Sequence, residues 1–205
     1  MKIFLDNISK RFQRHWIIKN VNYAFNAPGS YAILGANGSG KSTLLRIIAG
    51  IQSPSAGKLR YENQRGKIPP DKIFNYLSFC APSQEIVEEL TLDEFLKFHY
   101  SFKNIYPGLT PHKVVEIIGL EDARHKPIGD YSSGMKQRVK LAQAIFTDSP
   151  IVLLDEPCTN LDDEGVLQYR DWIGQYTKDR MVIVASNDVR EYFFCREQLH
   201  VKDYK

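Results

Sequence analysis

A chain of 205 residues, 43% of them hydrophobic, can bury a sizeable core and fits one domain spanning 1–205 with room for a subdomain. A formal net charge of +3 and no basic run leave no ground for a nucleic-acid partner, and three widely spaced cysteines (Cys80, Cys158, Cys195) suggest neither a disulfide framework nor a zinc site but small buried residues. Apolar stretches such as Met181 to Ala185 fall far short of the roughly 20 residues that cross a bilayer, and charge at Lys2 and Asp6 comes too early for a secretory leader, so the expected compartment is cytoplasmic.

Residues 2 to 25 alternate as strands do: Ile3, Leu5 and Ile8, then, beyond the polar turn around Gln13, Arg14 and His15, Val21, Tyr23 and Phe25. An antiparallel layer is expected there. The turn Asn26-Ala27-Pro28-Gly29 delivers the chain into a short apolar run, Tyr31 to Leu34. Next comes Gly35-Ala36-Asn37-Gly38-Ser39-Gly40-Lys41-Ser42, of the form G-x-x-x-x-G-K-[ST], which opens a helical segment from Thr43 to Ala49. Strand, loop and helix in that order are the setting a phosphate-binding loop needs; chance would supply the pattern in about one chain in a hundred of this length. Gly35, Gly38 and Gly40 let the backbone wrap close to phosphate oxygens, successive N–H groups form an anion nest, and the helix N-terminus adds its positive end. Lys41 is placed to reach the outer phosphates and the Ser42 hydroxyl to ligate Mg²⁺.

The helix after the loop is apolar on most of its circumference (Leu44, Leu45, Ile47, Ile48) and is expected to be buried on a sheet. Gly50 ends it, and Ser53 to Gly57 turns the chain into a strand, Lys58 to Tyr61. From about residue 86 to 145 the pattern becomes helical: Leu92, Phe95, Leu96, His99 and Phe102 recur at helical spacing, and Val114, Val115, Ile117 and Ile118 follow the helix start Thr110-Pro111. The aromatic stripe Phe95, Phe98, Phe102 is read as core, ahead of a partner groove. Strand and helix then alternate: Ile151 to Leu154, Gly165 to Tyr176, Met181 to Ala185, Asp188 to Phe194. Such alternation implies an α/β fold with a mainly parallel sheet, here a P-loop NTPase core with an N-terminal antiparallel β layer and an inserted helical subdomain.

The strand Ile151-Val152-Leu153-Leu154 ends in Asp155-Glu156-Pro157. A buried strand has no use for acids, which are costly there unless paired or metal-bound. Beside a phosphate loop, Asp155 would hold Mg²⁺ through water and Glu156 would orient and polarise the attacking water.

With Tyr131-Ser132-Ser133-Gly134-Met135-Lys136-Gln137-Arg138 ahead of that strand, the chain resembles the ATP-binding subunits of ABC transporters, whose signature LSGGQxQR lies just upstream of the acids. Three motifs agree in order and spacing, and the likeness runs through nearly the whole chain. Ser132 and the backbone near Gly134 stand at a helix N-terminus, a second anion site on a chain that already has one. The resemblance implies ATP as ligand with Mg²⁺ as cofactor. It also implies a head-to-tail homodimer, or a pair with a close paralogue, in which each ATP lies between one subunit's phosphate loop and the other's signature. By the same likeness, Thr159 to Asp162 is the dimer-contact loop with Asp162 its acid. Phe12 falls where the family stacks an aromatic on adenine, with Trp16 a weaker candidate.

Two positions depart from the family. Where a histidine usually contacts the γ-phosphate, Ser186-Asn187-Asp188 places Asn187, which can donate a hydrogen bond but cannot act as a general acid or base. Where a glutamine usually joins the sheet to the helical block, Gln84 is available, and the resemblance implies that it serves catalysis and the metal site with Ser42 and Asp155, although Pro82 could hold the equivalent place. In the signature, Ser133 replaces a glycine and Met135 a glutamine. The resemblance implies an ATPase that energises solute transport through separate transmembrane permease subunits, lying peripherally on the inner face of the membrane. The permease would dock near Gln84 to Phe102, and the short length and compact C-terminus resemble small bacterial exporters' ATPases, including the haem-exporter type. Other readings are an ATP-gated clamp with weak hydrolysis, a soluble ABC protein acting on DNA or ribosomes, and a small-molecule P-loop kinase. A kinase has no use for the signature or the dimer loop.

Overall fold

Alternating apolar residues at the N-terminus make a hairpin. In the computed structural model, which describes residues 1–205, β1 (Lys2–Phe12) and β2 (His15–Asn26) pair antiparallel, with Ile3 opposite Phe25 and Leu5 opposite Tyr23. Both strands bury one face, through Ile3, Leu5, Ile8, Ile18, Val21 and Phe25. The chain then runs through β3 (Gly29–Leu34) and α1 (Lys41–Ile48) before β4 (Ala56–Asn63) and β5 (Gly66–Ile68) complete an antiparallel sheet of order β2-β1-β4-β5.

A second sheet takes β6 (Leu77–Cys80), β7 (Ile151–Asp155), β8 (Met181–Ser186) and β9 (Glu197–His200) together with β3, in the order β6-β7-β8-β3-β9 and wholly parallel. Its central strands are buried on both faces, which explains their uninterrupted apolar sequence. Along β7, Ile151 and Leu153 join the core shared with α1 and the antiparallel layer, whereas Val152 and Leu154 join the core under the later helices. The P-loop NTPase architecture expected from the sequence is the one observed.

Five more helices follow: α2 (Leu92–Phe102), α3 (Pro111–Ile117), α4 (Ser133–Ile145), α5 (Asp163–Tyr176) and the short α6 (Val189–Tyr192). Thr91 starts α2 with a capping box, its hydroxyl accepting from Glu94 N–H while the Glu94 carboxylate accepts from Thr91 N–H, an arrangement of about 1 kcal/mol. At the other end of the signature segment, the buried Arg180 guanidinium donates to the last carbonyls of two helices, Ile145 of α4 (2.7 Å) and Tyr176 of α5 (3.2 Å), and to Ser149 O (2.7 Å). Burial pushes its pKa down to about 10, still high enough to keep the cation that complements both helix C-termini. None of the helices is long and apolar enough to cross a membrane.

The aromatic stripe on α2 departs from expectation. Leu92, Phe95 and Leu96 are buried, but Phe98 is 51% and Phe102 73% exposed, their rings edge to face at 5.2 Å. The helix turns one face, Leu92-Phe95-Leu96-His99, to the core, and Phe98 and Phe102 lie on the next row round. The helix expected over Asp188 to Phe194 is limited to α6, and β5, β6, β9 and the 3₁₀ turns at Pro70–Tyr76 and Val201–Tyr204 are elements too short to carry a periodic signal.

Register puts the chemistry at one end of the sheet. Leu34 pairs with Ser186 and Asp155 with Ala185, so the loops leaving β3, β7 and β8 at their C-terminal ends are neighbours.

Candidate functional site

Leaving β3, the chain wraps tightly because Gly35 has no Cβ: one there would stand 2.5 Å from Ser39 Oγ. Gly40, in the left-handed region at φ 107°, forms the N-cap of α1, where a Cβ would meet Ile17 Cγ2 at 2.6 Å. The loop encloses a cleft of about 200 Å³ that Asn37, Gly38, Ser39, Gly40, Lys41, Ser42 and Thr43 line from below, with Phe12 and Ile17 at one side and Glu156 at another. Phe12 therefore reaches the cleft. Trp16 does not line it; its ring lies 5.7 Å from the Arg11 guanidinium.

Two polar side chains in the loop, Lys41 and Ser39, are drawn inward. Lys41 is only 4% exposed and its ammonium folds back on the carbonyls of Gly35 (2.9 Å) and Ala36 (3.3 Å). Ser39 Oγ is buried without a partner. An unpaired buried hydroxyl and a cation resting on carbonyl oxygens fit an anion seated on the loop's N–H groups. The donor set also fits a hard divalent cation: the Ser42 hydroxyl donates to Asp155 Oδ1 at 2.9 Å, bringing a hydroxyl and a carboxylate oxygen to one point. Asp155 is 3% exposed; burial pushes its carboxyl above the usual range, the Ser42 bond pulls it down, and the neighbouring Glu156 charge pushes it up.

Glu156 occupies a strained backbone conformation, φ 42°, of a kind that costs about 1–3 kcal/mol and persists only where surroundings over-determine it. Its N–H donates to Ala185 O at 2.9 Å, and its carbonyl accepts from Thr159 N–H at 3.1 Å. The kink turns the side chain off the sheet and into the phosphate-loop cleft. At the end of β8, Asn187 donates from Nδ2 to Asn37 Oδ1 at 3.1 Å, so this residue does sit over the phosphate loop. It also shares a second cavity, of about 210 Å³, with Glu156.

The signature residues form a separate place. Ser132 N-caps α4 by accepting from Met135 N–H (3.2 Å), and Asp162 N-caps α5 by accepting from Gly165 N–H (2.8 Å). The two caps lie side by side. With Gly134, Arg138 and Asn160 they line a cavity of about 270 Å³ that includes no phosphate-loop residue. Within one chain, Ser132, Gly134 and Asp162 are thus not brought to Gly35–Thr43.

Gln84 is not brought there either. Its Nε2 donates to Gln143 Oε1 of α4 at 3.1 Å, and it lines a different cavity, of about 400 Å³, with Pro82, Lys136 and Lys140. The three cysteines are quiet: Cys80 and Cys158 are buried, Cys195 partly so, and burial pushes each thiol up to about 12. Two side chains that the sequence did not single out meet behind Glu156. Gln137, inside the signature itself, donates to Pro157 O at 2.7 Å, and Glu191 of α6 accepts from Cys158 N–H at 2.7 Å.

Comparison with known proteins agrees with this geometry. The family described as ABC transporter matches residues 18–159. The uncharacterized ABC transporter ATP-binding protein YxlF of Bacillus subtilis is 31% identical over 89% of this chain, which spans 61% of that protein's length. The cytochrome c biogenesis ATP-binding export protein CcmA of Rhizobium meliloti is 34% identical, covering 91% of this chain and 90% of its own. Among solved structures, a dimeric ATP-binding cassette in a post-hydrolysis state with ADP and Pi superposes with a TM-score of 0.83 at 23% identity, covering 98% of this chain and 94% of that one, a likeness of fold. A phosphate loop, paired acids at the end of β7 and a signature at the head of α4, in this order and on this fold, make the chain a member of the ABC transporter family, of which it carries the ATP-binding cassette.

Proposed function

We propose that the chain binds and hydrolyses ATP as the energising subunit of a transporter, acting as a head-to-tail pair and coupled to separate transmembrane permease subunits. The observation that carries this reading is that the phosphate-loop cleft and the Ser132 cavity, each at the N-terminus of a helix, are separate spaces with no residue in common. A two-fold pair that sets one against the other completes both, closing an isologous interface.

In that arrangement the phosphates lie on the N–H groups of Gly38 to Ser42, and Lys41 exchanges the carbonyls of Gly35 and Ala36 for phosphate oxygens. Ser39 Oγ gains its missing partner. Ser42 and Asp155 would hold Mg²⁺, which would supply neutralisation of phosphate charge. Glu156 accepts a hydrogen bond from water and aims it at the terminal phosphate; Asn187 contributes a neutral donor. Phe12 offers a face to the base. From the partner, Ser132 and the N-terminus of α4 supply the opposing donors. Gln84 bonds to Gln143 and not to Ser42 or Asp155; the exposed Phe98 and Phe102 of α2 are proposed as a surface offered to the permease.

The Asn187–Asn37 contact supports a second reading, a clamp that closes on ATP and hydrolyses little, because an asparagine cannot move a proton. Steady-state turnover separates the two. Wild type with its membrane partner is expected to hydrolyse ATP, and Glu156→Gln to lose about a hundredfold or more in rate while forming an ATP-dependent dimer by size exclusion. Wild type that dimerises on ATP without turnover would favour the clamp, and a persistently monomeric Glu156→Gln protein would sink both.

A further inference from the structure

The strained Glu156 needs support on the side facing away from the sheet, and a single peptide plane provides it. The carbonyl of the Pro157–Cys158 peptide accepts from Gln137 Nε2 at 2.7 Å and its N–H donates to Glu191 Oε1 at 2.7 Å. The peptide is held at both edges and cannot rotate. Gln137 is 3% and Glu191 4% exposed, so neither bond competes with water.

Glu191 joins more than this one plane. Its Oε2 accepts from the Ser186 hydroxyl, and Ser186 Oγ in turn accepts from Asp188 N–H at 2.9 Å, which fixes the turn that carries Asn187. Its own carbonyl accepts from the Tyr169 hydroxyl of α5 at 2.7 Å. Glu191 makes no salt bridge; its carboxylate is held by neutral donors from the loop after β7 and the end of β8. A buried acid with no cation is an expensive way to fill space, and a leucine would do that better. What the carboxylate does that an apolar residue cannot is accept from two loops at once, the one that carries Glu156 and the one that carries Asn187.

We propose that Glu191 is a positioning residue for hydrolysis: with Gln137 opposite, it fixes the Pro157–Cys158 peptide and so aims Glu156, and it ties that aim to the position of Asn187. The proposal rests on the ATPase reading above. Because Gln137 belongs to the signature helix and Asn187 to the phosphate-loop face, the peptide lies mechanically between the two anion sites. A shift of α4 reaches Glu156 through Gln137, and a shift at Asn187 reaches it through Glu191.

Glu191→Ala and Glu191→Gln are compared with wild type in two measurements. The first is hydrogen exchange of the segment 156–161 in the nucleotide-free protein. Alanine should speed exchange there at least about tenfold, while glutamine, whose Oε1 can still accept from Cys158 and whose amide can reach Ser186 Oγ, stays near wild type. The second is turnover: alanine should lower kcat about tenfold or more with the ATP KM within about twofold, and glutamine should restore kcat to within about threefold. Unchanged exchange in the alanine variant overturns the tether. Faster exchange with unchanged kcat overturns its role in hydrolysis, as does a loss of kcat and a rise of KM by similar factors in both variants, which marks a general packing defect. If alanine fails to fold, failure of glutamine to match wild type in either measurement overturns the proposal. Wild type with no turnover overturns the ATPase reading instead, and the exchange pattern then judges the tether alone.

Discussion

The phosphate loop and the signature segment both lie at helix N-termini, and both are proposed to meet phosphate, yet only the loop draws its polar groups together within the chain. At the loop, Lys41 is buried, a Ser39 hydroxyl is left unpaired and Gly35 makes room for the wrap, so binding groups are already placed and desolvated. At the signature, Ser132 and Asp162 use their side-chain oxygens to cap their own helices, and the cavity they line includes no phosphate-loop residue. The first is preorganised, and filling it releases Lys41 from the carbonyls of Gly35 and Ala36. In the proposed pair, the second would meet phosphate only from another copy, so that occupancy of the first would be read as association.

Two substitutions break that contrast in graded steps. The largest effect is at the preorganised site: Lys41→Ala should lower turnover about a thousandfold and weaken nucleotide binding, because it removes a charge-assisted donor aimed at the developing charge. Nucleotide titration of the isolated chain checks the binding part. Next, Ser133→Asp adds a carboxylate to the first turn of α4, where it suits the helix dipole and meets open surface. The chain should fold and bind nucleotide as wild type does, yet dimerise at least about tenfold more weakly on ATP by analytical ultracentrifugation, since the added charge faces a phosphate only in the pair. Equal weakening of both properties would mean that the two sites are not separable.

A milder lever acts on the helical block alone. His99 of α2 contacts Thr147 Oγ1 at 2.8 Å, and the Thr147 hydroxyl donates to Gln143 O at 2.7 Å, which leaves the ring nitrogen as the donor. Burial first, then the nearby Lys103 charge, depress the His99 pKa to about 4 from 6.5. A depressed histidine contributes stability that is fully present above its unfolded value and is lost as pH falls from about 6.5 toward 4. Thermal unfolding should therefore show wild type losing several degrees of Tm across that window relative to His99→Gln, which keeps a donor for Thr147 without a titrating ring. A parallel pH dependence in both proteins would remove His99 as the cause.

How much of this was visible in the sequence follows the same divide. The phosphate loop reads directly because its chemistry is local: glycine, lysine and serine must be adjacent to wrap one anion. The long elements read through their periods, and β7 through its uninterrupted apolar run ending in Asp155. Phe98 and Phe102 misled because a helical repeat gives spacing and not which of two adjacent rows meets the core. Gln84 has the right residue type in the right loop, but its amide turns to Gln143 on α4, a partner distant in sequence. Glu191 carries no local pattern, and its role exists only where the loops after β7 and β8 meet. Gln137 was inside a recognised motif, yet nothing linear says that it points at Pro157.

The smallest expected effect lies where the end of β8 meets the phosphate loop. Asn187 bonds to Asn37 of the phosphate loop, sits one residue from Ser186, which Glu191 holds, and shares a cavity with Glu156. Replacing it by histidine keeps a donor of similar reach and adds a group that titrates near neutrality. If hydrolysis rests on Glu156, with residue 187 supplying only a hydrogen bond, Asn187→His should turn over ATP within about threefold of wild type or somewhat faster, with an unchanged KM. A gain of a hundredfold would mean that proton movement at this position limits the wild-type rate, and the clamp reading would gain from it. A large loss with KM also raised would mean instead that the Asn187–Asn37 contact shapes the loop itself, and that the preorganisation of the phosphate site depends on β8 as much as on its own glycines.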